Sequence, residues 1–460
     1  MKPINKSKSV LFSFLILFMF FAISLKCKPG INKKPGDEIK SNKETIMSEI
    51  QQVLAFDFDL WYPLSIDTVY GGFFSDIDYK WELQGRQAKM IVTQARHVWS
   101  NANASLYYPD KERYLKVAEH GFKFLKNVMW DKEHGGFYNF VDRQGNVFKE
   151  DGEIIKRAYG NSFAIYGLAA YYRASGNEEA LKLAQDVFNW LEKYSYDPEY
   201  GGYFQFVSAE GKTFKDGYNS VPPKDQNTMI HVLECFTELY KSWPDPILKE
   251  RLTSLLFLIR DKIVIPKGYL NLFFNRDMSP ISFRNTDAKE RERNYEYDHV
   301  SFGHDVEIAY LMLETSEVLG MENDIITLKV AKRLVDHALA NGYDETNGGL
   351  FDRGYYFAGQ EKISIIKRNK EWWCQAEVLN SFLLMSKYFP NDSRNYYEKF
   401  CEQWNYIKKY VVDFEYGGWY WEGADIEPYA KESPKGTIWK CNYHTSRALI
   451  NCLEMLKTMK

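Results

Sequence analysis

The stretch Ser301-Phe302-Gly303-His304-Asp305-Val306-Glu307 opens a helix-patterned run from Ile308 to Leu319. Residues three apart share one face of a helix, so His304 and Glu307 are expected side by side in its first turn. The positive end of the helix dipole disfavours a second positive charge and biases an imidazole there toward the neutral form that a general base needs. Two more histidines stand in similar surroundings: His231 precedes Glu234 by three residues and His444 precedes Arg447 by three. A capping His with a solvated Glu would explain any one of these pairs. Together they point to a shared pocket.

His231, His304 and His444 with Glu307 and Glu234 also have the residue types of a metal site. Lys440 and Arg447 flank His444, and Arg96 belongs to the same rim. Cations lower metal affinity, so no metal is expected. The other histidines, His97, His120, His134, His299 and His337, have no motif around them; His97 and His299 are close enough to site residues to support them.

What would position such residues is a repeat. An acidic residue, a short spacer, Gly-Gly and an aromatic or apolar pair recur at Asp67 with Gly71-Gly72, Asp131 with Gly135-Gly136, Asp197 with Gly201-Gly202, Asp344 with Gly348-Gly349 and Asp413 with Gly417-Gly418. A degenerate copy, Lys267-Gly268-Tyr269-Leu270, fills the remaining gap. Units spaced by roughly 65 to 80 residues mark a repeated supersecondary element. Between the motifs, apolar residues recur at three and four, as in Ala158 to Ala174 and Glu178 to Tyr194, which predicts two helices per unit.

The run Lys43 to Tyr62 supplies a lone helix before the first motif, and Tyr443 to Met459 lacks a partner after the last. Joining them closes the ring, an all-α (α/α)6 barrel of twelve helices with short β-hairpins at one end. It is expected as a single catalytic domain over residues 44–460. The first helix after each hairpin is expected to be the inner one. Polar residues gather near its start each time: Arg96; Tyr159 and Asn161; Asn227 and His231; His304 and Glu307; Trp372, Trp373, Gln375 and Glu377; and Trp439, Lys440, His444 and Arg447. Flat faces of Trp372, Trp373 and Trp439 at a pocket mouth suit the apolar faces of pyranose rings.

A net charge of -3 with 26% charged residues offers no basic field for nucleic acid. Lys2, Lys6 and Lys8 precede an apolar run, Val10 to Leu25, that reads as a secretory signal. Ile23-Ser24-Leu25-Lys26-Cys27 resembles a relaxed bacterial lipobox, with Lys26 where a small residue is usual. The expectation is an exported lipoprotein, periplasmic or at the cell surface, whose only membrane contact is a lipid on Cys27. Residues 1–27 are then the signal and 28–43 a tether. Cys235, Cys374, Cys401, Cys441 and Cys452 have no CxxC spacing and read as small core residues.

Arg96 with Trp99, Asn227-Thr228-xx-His231-Val232-Leu233-Glu234, Gly303-His304-Asp305-Val306-Glu307, Trp372-Trp373-Cys374-Gln375-Ala376-Glu377 and Trp439-Lys440-Cys441-Asn442-Tyr443-His444-Thr445-Ser446-Arg447 resemble, in order, the N-acylglucosamine 2-epimerase superfamily, and most closely its cellobiose 2-epimerases. The resemblance implies the (α/α)6 barrel, no required metal or redox cofactor, and epimerisation or isomerisation at the reducing end of a mono- or disaccharide. It makes His304 and His444 an acid/base pair at sugar C2, and His231 a group for ring opening or positioning. Arg96 becomes the oxyanion partner, with Tyr159, Asn227, Glu307, Trp372, Trp373, Glu377 and Trp439 on the sugar. Asn442, Cys374 and Ser100-Asn101-Ala102 depart from the family pattern and bear on the choice of substrate. The alternatives are an aldose-ketose isomerase with the same residues, a glycoside hydrolase using Glu307 and Glu377, and a non-catalytic sugar-binding lipoprotein.

Overall fold

In the computed structural model, residues 35–459 are described apart from 150, 151 and 322, with side chains from residue 42 onward. The expected signal and Cys27 lie outside the described residues. Helix α1 (Pro35–Leu64) begins inside the stretch expected as a tether. Proline is readily accepted in a first helical turn, where its missing N–H has no partner to lose.

Helices α2 (Ile91–Tyr107), α4 (Ala158–Ser175), α6 (Gln226–Tyr240), α10 (Phe302–Val318), α12 (Trp372–Tyr388) and α14 (Tyr443–Thr458) are the inner ones. Each packs on the next, and α14 returns to α2, which closes the ring. They bury residues on every side; in α4, Phe163, Ala164, Ile165 and Leu168 are all at 0% exposure. The outer helices are α1, α3 (Lys111–Phe124), α5 (Glu178–Tyr194), α7 (Pro246–Leu258), α11 (Ile325–Gly342) and α13 (Tyr396–Tyr410). Their apolar residues form a single stripe: α5 buries Ala180, Leu183, Ala184, Val187, Phe188 and Leu191, spaced by three and four. Two short helices, α8 (Ala288–Arg293) and α9 (Tyr295–Asp298), precede α10. The fold is therefore the (α/α)6 barrel, with helix order as expected.

The N-terminal helix completes the outer ring. Glu49 accepts from Trp404 Nε1 at 2.8 Å and from Lys408 Nζ at 2.6 Å, both on α13. On the other side, Phe58 meets Tyr114 of α3 edge to face at 5.3 Å.

Each Gly-Gly motif is a tight hairpin clamped by a buried lysine. Asp67 Oδ1 accepts the N–H groups of Val69 and Tyr70, and Oδ2 accepts Lys89 Nζ at 3.0 Å. The same lysine donates to the Gly71 carbonyl. Lys156 with Asp131, Lys224 with Asp197 and Lys370 with Asp344 repeat this at 2.7, 2.7 and 2.9 Å, and Lys435 clamps Asp413 at 2.5 Å. Burial pushes the Asp67 carboxyl up, but Arg143, the Tyr70 amide and Lys89 outweigh it and hold the group at about 2. Gly72 sits at φ +68°, and a Cβ there would lie 2.5 Å from Gln94 and 2.7 Å from the Phe124 ring, so only glycine fits. The degenerate fourth hairpin has no such Asp-Lys clamp and is tied by Leu270 N–H donating to Asp305 Oδ1 at 3.0 Å.

Short strands link neighbouring repeats at the start of the inner helices. Lys89–Met90 pairs with Phe140–Val141, Ile155–Arg157 with Phe206–Ser208, and Lys224–Asp225 with Phe273–Phe274. The first N–H of α2, α4, α6 and α12 donates to the next repeat, on Asn139, Gln205, Leu272 and Trp421 respectively. These four amides would otherwise be unpaired helix-end donors, so the pairing fixes where each helix begins.

Candidate active site

With the helix starts fixed, residue number along each inner helix decides direction. The fourth residues, Gln94, Asn161, Met229, Asp305 and Gln375, turn outward and bond the hairpin of their own repeat, as when Gln375 Oε1 accepts Leu350 N–H at 2.8 Å. Asn161 and Gln375, expected at the pocket mouth, are therefore hairpin clamps. The second and sixth residues share a face and point inward. They supply Tyr159, Asn227, Trp373 and His444 at the second position and Arg96, His231, Glu307 and Glu377 at the sixth.

One cavity of about 260 Å³ is lined by Arg96, Tyr159, Asn227, His231, His304, Glu307, Trp372, Trp373, Trp439 and His444. Six helix starts thus converge on one pocket. Glu371 and Trp421 also line it and went unread in the sequence. Glu371 directly precedes Trp372 and accepts from Trp373 Nε1 at 2.9 Å. Trp421 lies two residues beyond Trp419, and its ring packs on Trp372 with centroids 4.6 Å apart. A second cavity, also about 260 Å³, continues past His304, Asn227 and Trp373 to His299, Glu296 and Arg353.

Glu377, expected on the sugar, is at 0% exposure and does not line the pocket. Its Oε1 accepts from His444 Nδ1 at 2.7 Å and from Arg447 Nη2 at 2.7 Å. Arg447 is equally buried, spanning Glu234, Glu307 and Glu377. Lys440, expected beside His444, points away: its Nζ donates to the Trp419 carbonyl at 2.8 Å.

His231 Nδ1 lies 2.8 Å from Glu234 Oε2, and Tyr443 OH also bonds this glutamate. Burial pushes the Glu234 carboxyl up, but Arg447 and His231 outweigh it and hold it well below the ordinary range. His304 Nδ1 has neutral partners, Ser301 Oγ at 3.0 Å and Gln226 Nε2 at 3.2 Å. Burial, then the neighbouring imidazole of His231, holds His304 well below the usual histidine value. Burial and then Arg96 do the same to His444. Both are neutral at pH 7 and equipped to accept a proton. Trp373 touches both rings, 4.9 Å from His304 and 5.7 Å from His444 between centroids.

Arg96 lies under the pocket between Phe163 and Tyr443, its guanidinium 4.4 and 4.7 Å from the ring centres, and donates to Tyr159 OH at 3.2 Å. A buried cation with few partners suits an oxygen that gains charge during reaction. His97 does not reach the pocket; its Nδ1 is 2.8 Å from Tyr62 OH and its ring stacks on Phe73 at 4.4 Å. Cys235, Cys374, Cys441 and Cys452 are buried free thiols, and Cys401 is half-buried.

Comparison with known proteins agrees with this geometry. Cellobiose 2-epimerase of Bacteroides fragilis is 28% identical over 419 residues, covering 90% of this chain and 99% of that protein. The structure of cellobiose 2-epimerase from Spirochaeta thermophila superposes with a TM-score of 0.77 at 29% identity, covering 91% of this chain and 98% of that one. D-mannose isomerase of Thermobifida fusca is 23% identical, over 70% of this chain and 74% of its own. The family model for N-acylglucosamine 2-epimerase (GlcNAc 2-epimerase) matches residues 72–448, and this chain is a member of that family.

Proposed function

We propose that the protein is a sugar 2-epimerase that inverts C2 of the reducing-end glucose or mannose unit of a disaccharide such as cellobiose. The observation that carries this is the pair of neutral imidazoles, His304 and His444, on two sides of Glu307 in one pocket. His231, held by Glu234, handles the ring oxygen or O1 proton as the pyranose opens. In the open-chain aldehyde, His444 Nε2 takes the C2 proton. The C–H electron pair becomes the C1–C2 double bond, and O1 takes the negative charge beside Arg96. His304 takes a proton from solvent once the negative intermediate has formed, and as imidazolium returns it to C2 from the opposite side, which regenerates the aldehyde with C2 inverted. The negative intermediate favours that imidazolium. Its Nδ1–H then donates to Ser301, and proton exchange with solvent resets both rings. Each acid/base group contributes roughly 10² to 10⁴ in rate.

The D-mannose isomerase relative supports an aldose-ketose isomerase as the second reading, in which the proton goes back to C1. A hydrolase reading fares worse: Glu307 and Glu377 share Arg447 and Glu377 does not line the pocket, whereas hydrolysis needs two carboxyls at the sugar, on opposite sides of the scissile bond. Proton NMR in D2O with cellobiose, mannobiose, glucose and mannose tests the assignment. Deuterium at C2 with a new 2-epimer supports it; a ketose selects the isomerase; absence of C2 exchange with every sugar overturns both.

Export and lipid attachment at Cys27 belong to the same proposal, supported by the basic start, the apolar run and the lipobox-like ending. Mass spectrometry of the protein from its own cells would show a diacylglyceryl group on Cys27; an unmodified or absent Cys27 at a different mature N-terminus would reject it.

A further inference from the structure

Three donor atoms at the pocket floor have no protein partner that they must keep. His231 directs Nδ1 to Glu234, which leaves Nε2 open. Glu307 gives Oε1 to Arg447, while its Oε2 is buried without a hydrogen-bond partner. His304 Nε2 has no hydrogen bond of its own. Donor atoms of these three residues lie within 4.8 Å of one another. We infer that His231, His304 and Glu307 form a site for a single transition-metal dication of the zinc type, and that a metal there blocks the sugar pocket.

Two imidazoles and one carboxylate suit Zn²⁺, Co²⁺, Ni²⁺ and Cu²⁺ and not the hard cations. The carboxylate-imidazole contact Glu234–His231 is the outer-shell arrangement that orients a metal-bound histidine. Charge also favours entry. Glu234, Glu307 and Glu377 face Arg96 and Arg447, one negative charge in excess while the imidazoles are neutral, and Lys440 is turned away.

Zinc-to-nitrogen bonds of about 2.0–2.1 Å place ligand atoms roughly 3.3 Å apart, so the trio must contract. His304, the least buried of the three, can turn inward. Its proton then sits on Nδ1 and donates to Ser301 Oγ, and Gln226, whose Oε1 has no partner, can turn its amide to accept as well.

Titrate the full chain with Zn²⁺ by calorimetry and with Co²⁺ by absorption, comparing wild type, His304→Asn and His231→Asn, with circular dichroism to confirm folding. One equivalent is expected, with visible cobalt bands and no near-ultraviolet thiolate band. Each variant should weaken binding by more than the roughly 10–100-fold typical of losing an outer-shell partner. No binding, a thiolate band, or unchanged affinity in both folded variants overturns the site. The blocking effect rests on the epimerase reading, and its readout is competition between Zn²⁺ and cellobiose. If the metal-free protein shows no C2 exchange, that reading fails while the calorimetry still judges the site; if Zn²⁺ binds and leaves the sugar reaction unaffected, the blocking claim is wrong.

Discussion

His444 Nδ1 and Glu377 Oε1 are 2.7 Å apart, and Arg447 donates to the same oxygen. An oxygen that accepts from Arg447 can only accept from the imidazole too, so Nδ1 carries the proton and Nε2 presents its lone pair to the pocket. Glu377→Gln keeps an oxygen for Arg447 and for Nδ1–H but removes the negative charge that stabilises the imidazolium formed when Nε2 takes the C2 proton. The expected result is a kcat lower by roughly 10² or more with KM nearly unchanged. Steady-state kinetics would contradict this role of the carboxylate if kcat fell less than tenfold.

Two bases on two faces make a mirror-image prediction for exchange. His304→Asn and His444→Asn should both fail to make the 2-epimer. One should still wash deuterium into C2 of the gluco sugar only, and the other into the manno sugar only. Should one variant exchange both epimers while the other exchanges neither, a single base serves the site and the isomerase reading gains.

Trp439 is 48% exposed at the pocket mouth, where its face can meet a sugar but not the reacting carbon. Trp439→Ala should raise KM for a disaccharide by roughly 2–10-fold with little change in kcat, the size expected for one aromatic contact. A large loss of kcat would move Trp439 into the chemistry.

The lysine clamps are stability elements. Lys89→Met leaves the buried Asp67 with Arg143 as its remaining cation, so it should destabilise by less than the about 3–5 kcal/mol that follows when a buried charge loses every partner. Asp67 titrates at about 2 in the fold against an ordinary 3.8, so its contribution is present above 3.8 and is lost as pH falls through about 2. The destabilisation measured by denaturant unfolding should therefore shrink over that window. A penalty that is independent of pH there would mean that the cost is packing and not charge. Replacing both partners, Lys89→Met with Asp67→Leu, should cost less than the two single changes added.

The sequence alone settled the architecture, because a repeat announces itself. Five Asp–Gly-Gly motifs demand the same hairpin five times, helical periodicity between them demands two helices per unit, and an unpaired helix at each end demands closure. It also determined which residue types crowd one end of the barrel, so ten of the eleven expected site residues line a single pocket. Direction was the part it could not give. Residues two, four and six of an inner helix look equally polar in Gln94 and Arg96 or in Gln375 and Glu377, yet a hundred degrees of rotation per residue sends one to the hairpin and the other toward the lumen. Only the inter-repeat strand bonds, which fix where each helix begins, decide that phase. They place Glu377 behind His444, while in the repeat that closes the ring Lys440 turns to the Trp419 carbonyl and Arg447 is buried among three carboxylates. The clamping lysines were visible, four of them two residues before an inner helix, but a lysine is ordinarily a surface residue. Its burial becomes favourable only once the hairpin has folded its aspartate and carbonyl around the same point.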